Sequence, residues 1–233
     1  MTVSHRNHRF ASRQWWILLA LSGVAAAQSP GAADGGGAVE GRIYDRAVAS
    51  VEGKVITMSQ LEFEARVLLV NAGGVDAAFA PLDKDVLGRS LSLVIDQRLA
   101  VLEADKLDAW PLEPGELEQA VRAFSDRFPS DAKFREFLEA NEAEVNDVAQ
   151  VLRRSIRAQR ALDGKLRLKA QVPESEARRA QAERGDLKGL SLDVVRQKLF
   201  AERFTALVKA ELRATRRTAD VRLLGPWAPG GEP

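Results

Sequence analysis

Between Thr57 and Arg216 apolar residues recur at three- and four-residue spacings, in runs separated by Pro81, Pro111, Pro114, Pro129 and Pro173. Proline in a helix interior removes a hydrogen bond and clashes with the preceding turn, so periodicity and prolines mark the same boundaries. The pattern therefore predicts a series of amphipathic helices. Thr57-Met-Ser-Gln60 fits a capping box, and Leu61, Ala65, Leu68 and Leu69 give the first helix an apolar face that ends at Gly73-Gly74. A long second helix runs from Asp83 to about Leu107 through Leu87, Leu91, Val94, Ile95, Leu99 and Leu102. A third begins at Pro114 and carries Leu117, Val121, Phe124 and Phe128, and Ser130 caps a short fourth with Phe134, Phe137 and Leu138. The fifth spans Glu144–Lys169. A polar, weakly helical segment, Glu174 to Gly189, precedes a last long helix, Leu192–Arg216, capped by Ser191.

The two ends of this helical stretch read differently. Arg46 to Thr57 alternates and is rich in β-branched residues, with Glu52-Gly53 suited to a tight turn, so it predicts a hairpin, Ala47–Val51 with Lys54–Ile56. Ala219–Leu224 alternates again and predicts a strand. A lone strand leaves backbone groups unpaired, and the hairpin is its nearest partner. The expected fold is mostly α, a multi-helix body over residues 44–224 with a small β-sheet made by the N-terminal hairpin and the C-terminal strand.

Residues 1–27 read as a secretory signal. Arg6, Arg9 and Arg13 form a positive segment without acids, and Trp15–Ala27 is an uncharged run of 13 residues, short of the roughly 20 that span a membrane. Ala25 and Ala27 supply the small residues a signal peptidase reads, with Gln28 as the new N-terminus. Residues 28–43 form a flexible Gly/Ala-rich linker, and 225–233 a loose tail. This predicts export to the periplasm. Cleavage takes the net charge from +1 to −2, which gives no electrostatic reason to expect nucleic acid.

Composition limits the chemistry. The absence of cysteine excludes disulfides, thiolate nucleophiles, Cys-ligated zinc, iron–sulfur clusters and lipid attachment through cysteine. The only histidines, His5 and His8, lie in the expected signal, so the mature chain has no imidazole for acid–base work or metal ligation. Ser90 and Ser92 have no base partner, and no phosphate loop or dinucleotide fingerprint is present. The expectation is no enzyme, no cofactor and no metal. The basic run Arg153, Arg154, Arg157, Arg160, Lys165, Arg167 and Lys169 reads as a solvated helix face, and Glu136, Glu139, Glu142, Glu144 and Asp147 as surface charge.

Val48-Ala-Ser-Val-Glu-Gly-Lys-Val-Ile-Thr-Met-Ser-Gln-Leu-Glu62 resembles the opening of SurA-type periplasmic chaperones, whose peptide-binding module is trigger-factor-like. Leu93-Val-Ile-Asp-Gln-Arg-Leu99 with Leu102-Glu-Ala-Asp-Lys-Leu107 is similar to that family's second helix, and Phe124 to Leu138 resembles its phenylalanine-rich third and fourth. The long helix and strand of Val195–Leu224 match how such chains end. The family inserts one or two parvulin-type peptidyl-prolyl isomerase domains before the last helix, each of about 90 residues, a size that cannot shrink to a loop. Here only Gln171–Leu190 occupies that place. The resemblance implies an ATP-independent holdase for unfolded or exported polypeptides, outer-membrane proteins among them, with the isomerase missing. It implies a peptide-binding groove from Phe124, Phe128, Phe134, Phe137 and Leu138, although helical spacing assigns the same rings to an ordinary core. The alternatives are a dedicated scaffold or assembly subunit of a cell-envelope complex, and a residual prolyl isomerase. A homodimer by exchange of the last helix or strand is a further expectation.

Overall fold

The computed structural model describes residues 45–228. The expected signal peptide with its cleavage residues Ala25, Ala27 and Gln28, and the linker 28–43, lie outside the described residues.

Alternation near the chain's start produces β1 (Ala47–Val51) and β2 (Lys54–Thr57), joined at Glu52 and Gly53, both at positive φ. Thr57 then caps α1 (Met58–Asn71) with the capping box its sequence implies: its side chain accepts from the Gln60 N–H, and the Gln60 side chain reaches back to the Thr57 N–H. A 3₁₀ turn, Asp76–Ala78, leads to α2 (Lys84–Lys106), capped by Asp83. Then come α3 (Glu116–Ser125), α4 (Asp131–Ala140) behind its Ser130 cap, and α5 (Val145–Leu166). The polar segment forms a true helix, α6 (Glu174–Glu183), followed by a second 3₁₀ turn, Gly185–Leu187. The last helix, α7 (Leu192–Thr218), has 27 residues and a length of about 40 Å at the usual rise. It delivers β3 (Val221–Leu223).

The sheet has the order β2-β1-β3, antiparallel throughout, with Ser50 opposite Val55 on one side and Arg222 on the other. The Glu52 N–H donates to the Asp220 carbonyl and the Leu224 N–H to that of Val48, extending the β1–β3 pairing by one residue at each end. The two ends of the described chain are thus joined through one central strand, and the fold is mostly α with a small sheet, as the sequence reading expects. No helix among the described residues is long and apolar enough to cross a membrane.

Four apolar clusters hold the elements. Val48, Ala49, Val51 and Ile56 of the sheet pack with Leu61 and Ala65 of α1 and Leu87, Leu91, Val94, Ile95 and Leu99 of α2. Further along α1, Val67, Leu69 and Val70 meet Phe124, Phe128, Phe137 and residues of α5. A third cluster joins Ala100 of α2, Ala158, Leu162 and Leu166 of α5, and Val208 of α7. The fourth, Val172, Ala177, Leu187 and Val195, ties α6 to the first turns of α7. Part of the expected loose tail is ordered: Gly225–Trp227 forms a 3₁₀ turn, and Trp227 packs against the first cluster, its Nε1 3.3 Å from where a Cβ on Gly88 would stand.

Candidate client-binding surface

The five residues expected to form a groove are brought together, but most of them face inward. Helix α3 stops at Ser125, so Phe128 sits in the turn beyond it and not on the helix face expected from its spacing. That turn folds Phe128 back on α4. Phe137 is the hub of the cluster, with ring centroids 5.3 Å from Phe128, 6.0 Å from Phe124 and Phe79, and 6.3 Å from Phe63. Phe124, Phe128 and Phe137 are buried, at 1%, 6% and 0% exposure, and have no surface to offer a ligand. These three lie in the core, the alternative that their helical spacing also gave. The reason is tertiary: the back of α1 and the 3₁₀ turn supply Phe63, Val75 and Phe79, which complete the packing around these rings.

Phe134 and Leu138 are half-buried at the rim. Leu138 lines a depression of about 400 Å³ with Arg135, Glu139, Glu142, Ala143 and Glu144. Among the described residues the exposed large apolar ones are Val55, Leu107, Val145, Leu168, Val194, Leu223 and Leu224, spread over β2, α5, α7, β3 and the connections between elements. Single exposed apolar residues of this kind are ordinary for a protein surface.

The basic run on α5 departs further from its sequence reading. Arg154 pairs with Glu64 of α1, and Arg157 with Asp105 at 2.6 Å. Arg160 grips both carboxylate oxygens of Glu116 at 2.6 Å and also donates to the Pro111 carbonyl; Lys165 pairs with Glu211 of α7. One side of the run is therefore a set of tertiary clamps. Arg153 remains exposed.

Glu64 is the centre of the most buried of these clamps. Only 5% exposed, it lies between Arg154 and Arg98, the latter at 3.8 Å. Burial raises its pKa, against the pull of the two guanidinium groups, and burial lowers the pKa of Arg98. This triad ties α1, α2 and α5 together. Asp96 of α2 is likewise raised by burial while it accepts from Arg216 of α7 at 2.6 Å. At the far end, exposed Asp186 is lowered to about 2 by hydrogen bonds from Arg184 and Lys198.

Sequence reasoning missed the segment between α2 and α3, which crosses α5 as a strap. Asp108 and Trp110 both have positive φ, and Trp110 lies on Gly164 of α5. Two signals were present: a glycine, Gly164, midway between the core leucines Leu162 and Leu166, and a tryptophan directly before Pro111. No protein-family model matches the chain, and no curated protein resembles it at a significant level.

Proposed function

We propose that the protein is an ATP-independent periplasmic holdase of the SurA type that lacks the isomerase domain and binds unfolded or exported polypeptides, outer-membrane proteins among them. The reading rests on one observation: β3, delivered by the last long helix, pairs with the N-terminal β1, so a helical body is closed by a sheet built from both ends. A long last helix followed by a short strand is also how the chains its sequence resembles end. The connection from α5 to α7 holds a ten-residue helix and a 3₁₀ turn, far less than an isomerase of about 90 residues needs. Holding without chemistry would use weak apolar contacts at half-buried Phe134 and Leu138 and pairing at the sheet edges.

A second reading, a dedicated scaffold for one folded envelope protein, is favoured by the burial of Phe124, Phe128 and Phe137, which leaves no broad aromatic groove. Dilution of a urea-unfolded outer-membrane barrel into the purified protein separates the two. Suppressed aggregation near equimolar ratio supports the holdase. No suppression by a well-folded sample, together with recovery of one stoichiometric partner from envelope extract, supports the scaffold.

A further inference from the structure

Between the strap and α5 lies a depression of about 290 Å³ lined by Asp108, Ala109, Pro111, Leu112, Leu117, Arg153 and Arg157. It has two guanidinium groups, one carboxylate and an apolar wall. Arg153 makes no ion pair among the described residues and is exposed, and Arg157, which also lines the depression, has its Nη2 on Asp105 at 2.6 Å. A guanidinium and a carboxylate match in charge and in the planar geometry of their hydrogen bonds.

We propose that this depression takes the C-terminal residue of an extended polypeptide, with its side chain against Pro111, Leu112 and Leu117 and its carboxylate on Arg153 and Arg157. The proposal deepens the holdase reading and rests on it. Three features select this ligand class. The volume suits one large residue and falls at the bottom of the range for drug-sized molecules. Asp108 on the same rim opposes a polyanion, yet it can accept the amide N–H that lies next to a chain's terminal carboxylate. The walls are also fixed in advance: Arg160 holds the Pro111 carbonyl and Glu116, and Trp110 is seated on Gly164. Pre-organisation of this kind lowers the entropy lost on binding.

The test is fluorescence polarisation of a fluorescein-labelled hexapeptide ending in leucine, titrated with the purified full chain, against the same peptide as its C-terminal amide. The expected result is that the free acid binds about tenfold or more tightly than the amide, and that Arg153→Glu removes the difference. Arg179→Glu, on the exposed side of α6, should leave it intact. Equal affinity for acid and amide, binding of neither, or an unchanged preference in Arg153→Glu overturns the site. Aggregation suppression is measured on the same variants. Suppression without acid preference rejects the site and keeps the holdase; acid preference without suppression keeps the site and rejects the holdase.

Discussion

The indole of Trp110 occupies the space that a side chain at Gly164 would need: a Cβ there would stand 2.7 Å from Cε2 and closer still to Nε1. Glycine within a helix ordinarily weakens it, by about 0.5–1 kcal/mol relative to alanine. At this position of α5 that cost is offset by the seating of the strap.

Gly164→Ala should therefore destabilise the protein, by about 1–3 kcal/mol from overpacking, where a helix glycine with open space around its Cα would gain stability from the same change. Urea unfolding followed by circular dichroism measures it. Adding Trp110→Ala should make Gly164→Ala neutral or favourable. An unaltered penalty in that background would contradict the contact.

Arg154→Ala leaves Glu64 buried with only the more distant Arg98, and should cost about 3–5 kcal/mol. Pairing it with Glu64→Leu should recover part of the loss, because the desolvation of the carboxylate disappears with its partner. A double-mutant cycle in urea reads the coupling directly.

The same carboxylate sets a pH dependence. Because burial raises the Glu64 pKa above its ordinary 4.5, the native state binds its proton more tightly than the unfolded chain. Its contribution is fully present below the unfolded pKa and is lost as pH rises through the folded one. The stability of the wild type relative to Glu64→Gln should accordingly increase as pH falls from 7 toward 4.5. A difference independent of pH over that interval would show that Glu64 has no raised pKa. Asp96, raised by the same cause, acts in the same direction in both proteins.

Phe137→Ala, at the hub of the ring cluster, should cost about 3–5 kcal/mol, as deletions of fully buried aromatics do. Phe134→Ala, at the rim, should cost about 1 kcal/mol. If the rim contacts clients, Phe134→Ala with Leu138→Ala lowers aggregation suppression in a sample that remains folded. Thermal unfolding and the aggregation assay on the same preparations distinguish the two effects.

Trp227→Ala should loosen the chain's end before the body, because the indole pins the turn after β3 against the sheet and α2. Hydrogen exchange should quicken first at the Leu224 amide, which donates to Val48. Uniform acceleration across α2 and α5 would instead make Trp227 part of the global core.

Local chemistry was legible in the chain itself. The Thr57, Ser130 and Ser191 caps, the turn at Glu52-Gly53 and the apolar stripe of α2 depend on residues within a few positions of one another, and each reappears in the fold. The pairing of β3 with the hairpin was legible too, because an isolated strand has few partners to choose from; that it joins β1 and not β2 came from the structure. The placement of Phe124, Phe128 and Phe137 was not. Helical spacing says which rings share a face, whereas the packing of α1 and Phe79 onto that face determines whether it meets water.

Charge shows the same division. The sequence by itself determined that α5 would carry a basic run, that the elements would be helices with a sheet at the ends, and where most of them would start, although α3 begins at Glu116 and not at Pro114. Only the tertiary structure decided that Arg154 would meet Glu64, that Arg160 would clamp Glu116, and that Trp110 would lie on Gly164. Caps and periodicities are settled over one or two turns of chain. A salt bridge between residues ninety positions apart, as Arg154 and Glu64 are, depends on how whole helices pack, and no short window of sequence contains that information.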